Sequence, residues 1–239
     1  ATATLRGPVP GTVRIEWQPL RFTRSGAAPS QAFRVQSQGK LIGLPMAWTR
    51  AFGASGAPDE SGVSGALLSD GEWDTDAGDT LRARARLARA SGDIRVQAGE
   101  AALVTRIHST GTGTASERTM NTANAAGGIE KSTPAGLRQA ELRVDAQGEV
   151  VRATLAWDSE RAGKIDATLE TRVQQRAEGW QWAADAPLAG KVKASLPNLG
   201  VWSMLAPPGW RVAGTLEADA VLAGNRAAPR WNGTLGADK

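Results

Sequence analysis

Hydrophobic and polar residues alternate with a period of two along most of this chain. Between residues 210 and 222 the even-numbered positions are mostly apolar, including Val212, Leu216 and Leu222, whereas Glu217 and Asp219 occupy odd-numbered positions. Such alternation places apolar side chains on one face of a β-strand and polar side chains on the other. The pattern therefore predicts strands that build a sheet with one apolar face and one wet face.

Strand-like runs of this kind extend over the whole sequence and are separated by turns that contain Gly, Pro and Ser. Pro19 and a change of phase beside it indicate an edge strand or a β-bulge. Pro45 is expected to break a later run midway. The predicted strands cover residues 13–17, 20–22, 33–35, 41–52, 80–98, 137–144, 150–157, 164–173, 179–183, 188–196, 210–222 and 231–237.

Local signals also predict how these strands connect. Gly92-Asp93 is typical of a hairpin turn, with a returning strand after it. Residues 145–148 are expected to close a second hairpin, and 164–173 with 179–183 to form a third. A short helix is predicted at 198–205, between a proline that opens it and a double proline that ends it.

The tract 109–134 is dominated by small and polar residues. Because it cannot bury enough apolar area to offset the cost of ordering the chain, it is predicted to be a long mobile loop. Strands of the same kind resume after it, so we expect residues 1–239 to form a single elongated β unit. The lack of a starting Met, and strand-like sequence at both ends, indicate a fragment of a longer chain.

Residues 187–239 contain an ordered set of short motifs. Pro187-Leu-Ala-Gly precedes an alternating strand and a short apolar segment, and Pro208-Gly-Trp, Gly214-Thr-Leu and Pro229-Arg-Trp-Asn-Gly-Thr-Leu follow. In this order the motifs resemble the C-terminal portion of TamB-like proteins, the translocation-and-assembly-module family. That family is related to the AsmA-like, bridge-type lipid carriers of the Gram-negative envelope. Upstream of residue 187 only the general style of short alternating strands continues.

The resemblance implies a taco-shaped β fold with a hydrophobic interior. It also implies a periplasmic location, in a full-length protein anchored in the inner membrane by a segment absent from this chain. Such a protein reaches an outer-membrane partner barrel of the TamA type and is thought to move phospholipid between the two membranes. Assistance in the assembly of outer-membrane barrels is a second activity proposed for the family.

Composition favours a thin sheet over a thick core. Hydrophobic residues make up 41% of the chain, but aromatic residues make up only 5%, and Trp accounts for nine of them. The net charge of +4 is explained either by a GC-rich genome that favours Arg or by attraction to anionic lipid head groups, with nucleic acid as a third reading. No apolar run approaches the roughly 18 residues that a transmembrane helix needs.

The sequence offers little for catalysis or metal binding. The absence of Cys excludes disulfides and thiolate ligands. His108 is the only histidine, which excludes a pair of His ligands, and it is interpreted as a solvated surface residue. The segment before Lys131 lacks the glycine that a phosphate-binding loop needs at that point. We therefore expect no enzymatic activity, no metal and no cofactor.

Two patterns leave alternatives open. Arg82, Arg84 and Arg86 form a ladder that serves either as the wet face of a strand or as a contact for phosphate or nucleic acid, and we favour the wet face. The scattered Trp residues belong to a packed core, to the wall of a greasy trough or to a sugar-stacking surface.

The apolar face of the predicted sheet has to be covered in one of three ways. A second sheet gives a sandwich, closure gives a barrel, and folding into a U gives a trough. Because faces rich in Ala and punctuated by Trp fill space poorly, we expect an elongated, curved, antiparallel-rich sheet folded into a U-shaped hydrophobic trough.

Residues and resemblance together favour a periplasmic conduit that shields phospholipid acyl chains, with no nucleic-acid partner. The alternative is a β-scaffold that assists the assembly of outer-membrane barrels through its open edges. An outer-membrane barrel itself is disfavoured, since the chain has no Tyr for aromatic girdles. The residues expected to line the groove are Leu142, Val144, Leu155, Trp157, Ile165, Leu169, Val192, Leu196, Val212, Leu216, Leu222, Trp231 and Leu235.

Overall fold

The computed structural model describes residues 1–6, 11–25, 32–48, 63–97, 132–176, 179–199 and 213–238. Strands make up 77% of these residues, turns and short connections make up most of the rest, and residues 46–48 form a helical turn. The strands are β1 (Thr2–Arg6), β2 (Thr12–Trp17), β3 (Arg21–Ser25), β4 (Ala32–Pro45), β5 (Val63–Gly65), β6 (Leu68–Ala77), β7 (Leu81–Ser91), β8 (Ile94–Gln97), β9 (Ser132–Pro134), β10 (Leu137–Gln147), β11 (Val150–Ser159), β12 (Gly163–Arg172), β13 (Gln174–Arg176), β14 (Gly179–Gln181), β15 (Leu188–Leu196), β16 (Thr215–Gly224) and β17 (Pro229–Asp238).

Twelve of these strands form one large antiparallel sheet, which we call the main sheet. Its strand order is β1-β2-β4-β6-β7-β10-β11-β12-β15-β16-β17, and β3 pairs with the first part of β4. The main sheet is curved and does not close on itself, because β1 and β17 remain at its two edges. The predicted all-β, antiparallel fold class is therefore confirmed.

The break predicted at Pro19 separates two strands that lie along the same edge of β4. β2 pairs with β4 at residues 39–42, and β3 pairs with it at residues 32–36. Proline has no N–H to donate to a ladder, so the interruption falls at residues 18–20. β4 itself is continuous over 14 residues and ends at Pro45. The separation predicted between the runs 33–35 and 41–52 is thus wrong, since β4 joins them as far as Pro45, whereas the break predicted at Pro45 is confirmed.

The hairpin predicted at Gly92-Asp93 is also wrong. β8 does not return along β7 but pairs with β5 and β9 in a separate three-stranded sheet. The Asp93 carboxylate explains the change of direction, because it accepts backbone hydrogen bonds from Ile94 at 2.8 Å and from Gly136 and Leu137 at 2.9 Å. Its last two donors lie more than 40 residues away, where a local turn signal cannot reveal them.

The strands after β10 follow the alternation but not all of the predicted pairings. The hairpin at 145–148 is confirmed, since β10 pairs with β11. The hairpin of 164–173 with 179–183 is wrong, because β12 pairs with β11 and β15, while β14 pairs with β13 in a two-stranded sheet of its own. The nine-residue β15 offers β12 a much longer ladder than the three-residue β14 could.

Some sequence predictions concern residues that the structure does not describe. In the tract 109–134, the last three residues form β9 rather than loop, and the rest lies outside the described residues. The predicted helix at 198–205 is described only at residues 198 and 199, and Val212 and His108 also lie outside the described residues.

The polar face of the main sheet is held by ion pairs between neighbouring strands. Glu141 accepts a hydrogen bond from Arg86 Nε at 2.6 Å and is also paired with Arg143. Asp76 accepts one from Arg34 Nε at 2.7 Å, and Gln36 adds another at 3.1 Å. Hydrogen bonds from these arginines lower the pKa of Glu141 and of Asp76 to about 2.

We expect Glu141 to make stability depend on pH at the acidic end. Because its pKa falls from 4.5 unfolded to about 2 folded, its contribution is present above pH 4.5 and is lost as the pH falls toward 2. The difference in urea midpoint between wild type and Glu141→Gln should therefore shrink steadily over this range. Glu149→Gln, in the exposed β10–β11 turn, is the control. A difference in urea midpoint between wild type and Glu141→Gln that stays constant with pH would contradict the lowered pKa of Glu141.

Candidate functional site

One row of apolar positions crosses all eleven strands along the path of the main sheet. Each member is the registered partner of the next, so the row is continuous across ten strand spacings, or about 48 Å. The row consists of Ala3, Ile15, Leu41, Gly71, Leu87, Leu142, Leu155, Ala167, Val192, Ala220 and Gly233.

A second row runs beside the first on the same face, two residues along each strand. It contains three tryptophans and no charged residue. Its members are Trp17, Gly39, Trp73, Ala85, Val144, Ala153, Leu169, Gly190, Leu222 and Trp231. We call the side of the main sheet that carries these two rows the apolar face, and the opposite side the charged face.

All the described residues that the sequence predicted as groove lining lie on the apolar face. Seven of them belong to the two rows. Trp157, Ile165 and Leu235 lie in a third registered row, and Leu196 pairs directly with Leu216. The sequence prediction missed the contribution of β2, β4, β6 and β7 to the same face, although the alternation in these strands carries the same signal.

No second layer of described residues fills the space above the centre of the apolar face. Leu87, Leu142 and Leu155 lie on three adjacent strands in the middle of the sheet, yet 40%, 42% and 37% of their surface is exposed. Core leucines are usually buried and touch many neighbours. Among the described residues, the fully buried apolar side chains lie instead mostly near the ends of strands, as Trp48 and Ala135 do.

A small hairpin crosses one end of the apolar face. The indole N–H of Trp180 and the amide of Gln175 both donate to the Gly78 carbonyl, at 3.0 and 3.2 Å. Gly78 follows β6, whereas the hairpin emerges from β12, four strand spacings or about 19 Å away. Trp182 donates to the hydroxyl of Thr171, which lies on the apolar face, at 2.9 Å. The hairpin therefore lies on the apolar side and spans this end of the sheet.

The opposite end of the apolar face is flanked by the three-stranded sheet. Ala135 and Ala162 are both 1% exposed, and Ile94 of β8 and Trp157 of the apolar face pack against them. The Ser159 hydroxyl ties the strand ends together by donating to the Ala135 carbonyl at 2.6 Å. Small sheets thus lie at both strand ends on the same side, with the exposed leucines between them.

Trp73 lies flat against this surface rather than projecting from it. A Cβ atom on Gly39 of the neighbouring strand would lie 2.3 Å from the indole Cζ2, so only glycine leaves room for the ring. The indole N–H donates to the Ser37 hydroxyl at 2.9 Å, which fixes the orientation of the ring. An indole that lies against the sheet adds apolar area without projecting far from the surface.

The charged face carries ladders of alternating sign. Asp74, Arg84, Asp145, Arg152 and Glu170 are registered partners in succession across five strands. A concavity of about 790 Å³ on this face is bordered by acidic and basic side chains alike, including Glu16, Lys40, Glu72, Arg86 and Arg143. The arginine ladder predicted from the sequence belongs to this face, where Arg84 and Arg86 lie beside acidic partners.

The described part of the chain contains no group of three or more acidic or histidine side chains placed to hold a metal ion. Nor do the described residues include a helix with the length and apolarity needed to cross a bilayer. Comparison with family models, with curated proteins and with solved structures gave no match to this chain.

Replacing the glycine under Trp73 should disturb the apolar face measurably. We expect Gly39→Val to force the indole away from β4, to weaken its bond to Ser37 and to destabilise the fold by about 1–3 kcal/mol. Urea unfolding and near-UV circular dichroism would measure both effects. Gly236→Val on β17 is the matched control, since nothing lies within 4 Å of its Cβ position. Equal effects of the two substitutions would contradict the packing described for Trp73.

Proposed function

We propose that this chain shields the acyl chains of phospholipids on its apolar face and conducts them as part of a bridge between the inner and outer membranes of a Gram-negative envelope. The observation that carries the proposal is the unbroken apolar row across eleven strands, whose central leucines remain exposed. A contiguous apolar surface of this extent marks a binding surface for an apolar partner. In this proposal the curved main sheet folds into a trough with the apolar face inside.

The dimensions of the apolar face suit lipid tails. The hydrocarbon core of a bilayer is about 30 Å thick, so one acyl chain occupies about 15 Å along its length. The apolar row, at about 48 Å, is therefore long enough for about three acyl chains end to end. The small sheets at the two strand ends would act as the walls of the trough, which leaves the long axis of the row open in both directions.

Passive sliding follows from the uniformity of the row. Contact with the apolar face stabilises a tail by about 25 cal/mol for each Å² removed from water. Moving a tail by one strand, about 4.8 Å, exchanges contact with one uncharged apolar position of the row for contact with the next. The binding free energy then changes little from strand to strand, and no deep trap holds the lipid. Head groups stay in water at the mouth of the trough.

The location and the partners in this proposal come from the resemblance of residues 187–239 to TamB-like proteins. We infer a periplasmic position, an inner-membrane anchor in the full-length protein and an outer-membrane partner barrel of the TamA type. Within the fold, the motif-bearing residues 188–196, 215–224 and 229–238 extend the same apolar face through the registered pairing of β15, β16 and β17.

A charge on the apolar face should block lipid binding without unfolding the chain. We expect Leu155→Asp to lower the affinity for a fluorescent fatty acid at least about ten-fold, because a bound tail would have to strip water from a carboxylate. Thr154→Asp is the matched control, since Thr154 directly precedes Leu155 in β11 and points to the charged face. Titration of the probe into both variants would measure the difference.

Leu155 is 37% exposed, so a carboxylate at this position keeps access to water in the unliganded protein and the fold should survive. Circular dichroism of both variants checks this point. Equal affinity of the Leu155→Asp and Thr154→Asp variants for the fatty acid would show that the apolar face is not the binding surface.

One feature favours a second function, that of a scaffold for strands of outer-membrane barrels. All ten residues of β17 are exposed, and no described strand pairs with its outer edge. An exposed edge offers unpaired N–H and C=O groups to an added strand. On this reading the edge, rather than the apolar face, would be the working surface.

Site-directed photo-cross-linking should separate the two functions. We expect a photoreactive residue at Leu142, in the middle of the apolar face, to capture phospholipid in cells of the source organism. The same residue at Asn232, on β17, should capture little lipid. Protein adducts at Asn232, together with a lack of lipid adducts at Leu142, would favour the scaffold and contradict the conduit.

A further inference from the structure

An exposed aromatic cluster lies at the β3–β4 end of the main sheet, and we call it the aromatic tip. It comprises Leu20, Arg21, Phe22, Arg24 and Phe33. The three apolar side chains are 64%, 60% and 50% exposed for Leu20, Phe22 and Phe33. The two phenyl rings lie 5.5 Å apart between centroids, and the Arg24 guanidinium lies over the Phe33 ring at 5.6 Å.

The pairing pattern makes the aromatic tip project beyond the rest of the sheet. β3 pairs with β4 on one side and with no described strand on the other. On its other side β4 pairs with β6 only from Val35 onward, so Phe33 lies past the last registered pair. Among the described residues, the tip therefore has one layer of chain and few neighbours, which accounts for its exposure.

The aromatic tip is nonetheless continuous with the apolar face. Phe22 is the registered partner of Val35, Val35 of Ala77, and Ala77 of Leu81. This short apolar row runs parallel to the two long rows and on the same side of the sheet. An apolar molecule on the tip would thus adjoin the apolar face without crossing a charged strand.

All the charged residues of the tip are positive. Residues 20–25 and 32–36 contain three arginines and no carboxylate. Arg34 is neutralised by its hydrogen bond with Asp76. Arg21 and Arg24 have no acidic partner among the described residues, which contrasts with the paired charges on the charged face.

We propose that the aromatic tip docks this chain onto the surface of an anionic lipid bilayer. Phe22, Phe33 and Leu20 would enter the boundary between head groups and acyl chains, where exposed aromatic and aliphatic side chains bind. Arg21 and Arg24 would reach the lipid phosphates with their long side chains, as Arg24 already does by extending over a phenyl ring. Positive charge beside exposed apolar side chains is the combination that an anionic bilayer complements.

This docking does not depend on lipid conduction, because it requires no acyl chain to leave the bilayer and enter the apolar face. It would add to the proposed conduit a defined point of contact with the membrane. A chain that does not bind the fatty acid can still bind vesicles through the tip. A chain that does not bind vesicles can still bind the fatty acid on its apolar face.

Sedimentation with vesicles of phosphatidylglycerol and phosphatidylcholine tests the proposal. We expect the wild-type chain to bind, and Arg21→Gln with Arg24→Gln to lower the partition coefficient about 25-fold, or about five-fold for each arginine. Phe22→Ser with Phe33→Ser should lower it at least about ten-fold. Vesicles of phosphatidylcholine alone should bind the wild-type chain as weakly as the arginine variant binds anionic vesicles.

Trp231→Ser with Leu235→Ser is the matched control, because these side chains are 60% and 73% exposed on the far edge of the same sheet. It should keep vesicle binding within about two-fold, since surface substitutions away from the contact change little. If this control lost as much vesicle binding as the phenylalanine variant, binding would be a nonspecific property of the exposed apolar side chains of the sheet. That result would overturn the proposal.

A label on the folded chain tests the same point without altering the phenylalanines. The protein has no Cys, so Leu20→Cys accepts a single environment-sensitive fluorophore. We expect its emission to shift to the blue with anionic vesicles, while a label at Glu149→Cys, in the β10–β11 turn, should not shift. No vesicle binding by the wild-type chain, or no shift at position 20, would overturn the proposal.

Discussion

The cross-strand register of the main sheet is the constraint on which the rest of the structure depends. Side chains alternate between faces, so a slip of one residue in any strand would move its apolar set to the charged face and cut the row there. The register shifts that do occur lie near strand ends, between Leu41 and Leu44, Leu68 and Ser69, and Leu137 and Gln139. The central rows are left intact, and the apolar face is therefore continuous.

The described part of the fold stands without a thick core because its stabilising interactions are distributed over the sheet. Backbone ladders join every strand of the main sheet to its neighbours, and ion pairs such as Glu141 with Arg86 add to them on the charged face. At the strand ends, the Asp93 carboxylate and the Ser159 hydroxyl hold the three-stranded sheet in place. Among the described residues, this arrangement leaves the middle of the apolar face without packing partners, and Leu87, Leu142 and Leu155 remain partly exposed there.

Alternation within single strands could be predicted from the sequence, and long-range pairing could not. The period of two at Leu142, Leu155 and Val192 indicates a shared face, and the register confirms it. The sequence does not indicate that β7 pairs with β10 across more than forty residues, or that β8 leaves the sheet at Asp93. The crossing hairpin was missed for the same reason, because the partner of Trp180 is a backbone carbonyl 102 residues away, and a carbonyl carries no sequence signal.

The proposed conduit requires that lipid tails, rather than protein, occupy the apolar face of the main sheet. Native mass spectrometry of the chain, purified without detergent, tests this most directly. We expect phospholipid to be bound to most molecules and to be recoverable in organic extracts of the same sample. A monomer that carries no phospholipid, and whose extracts contain none, would contradict it.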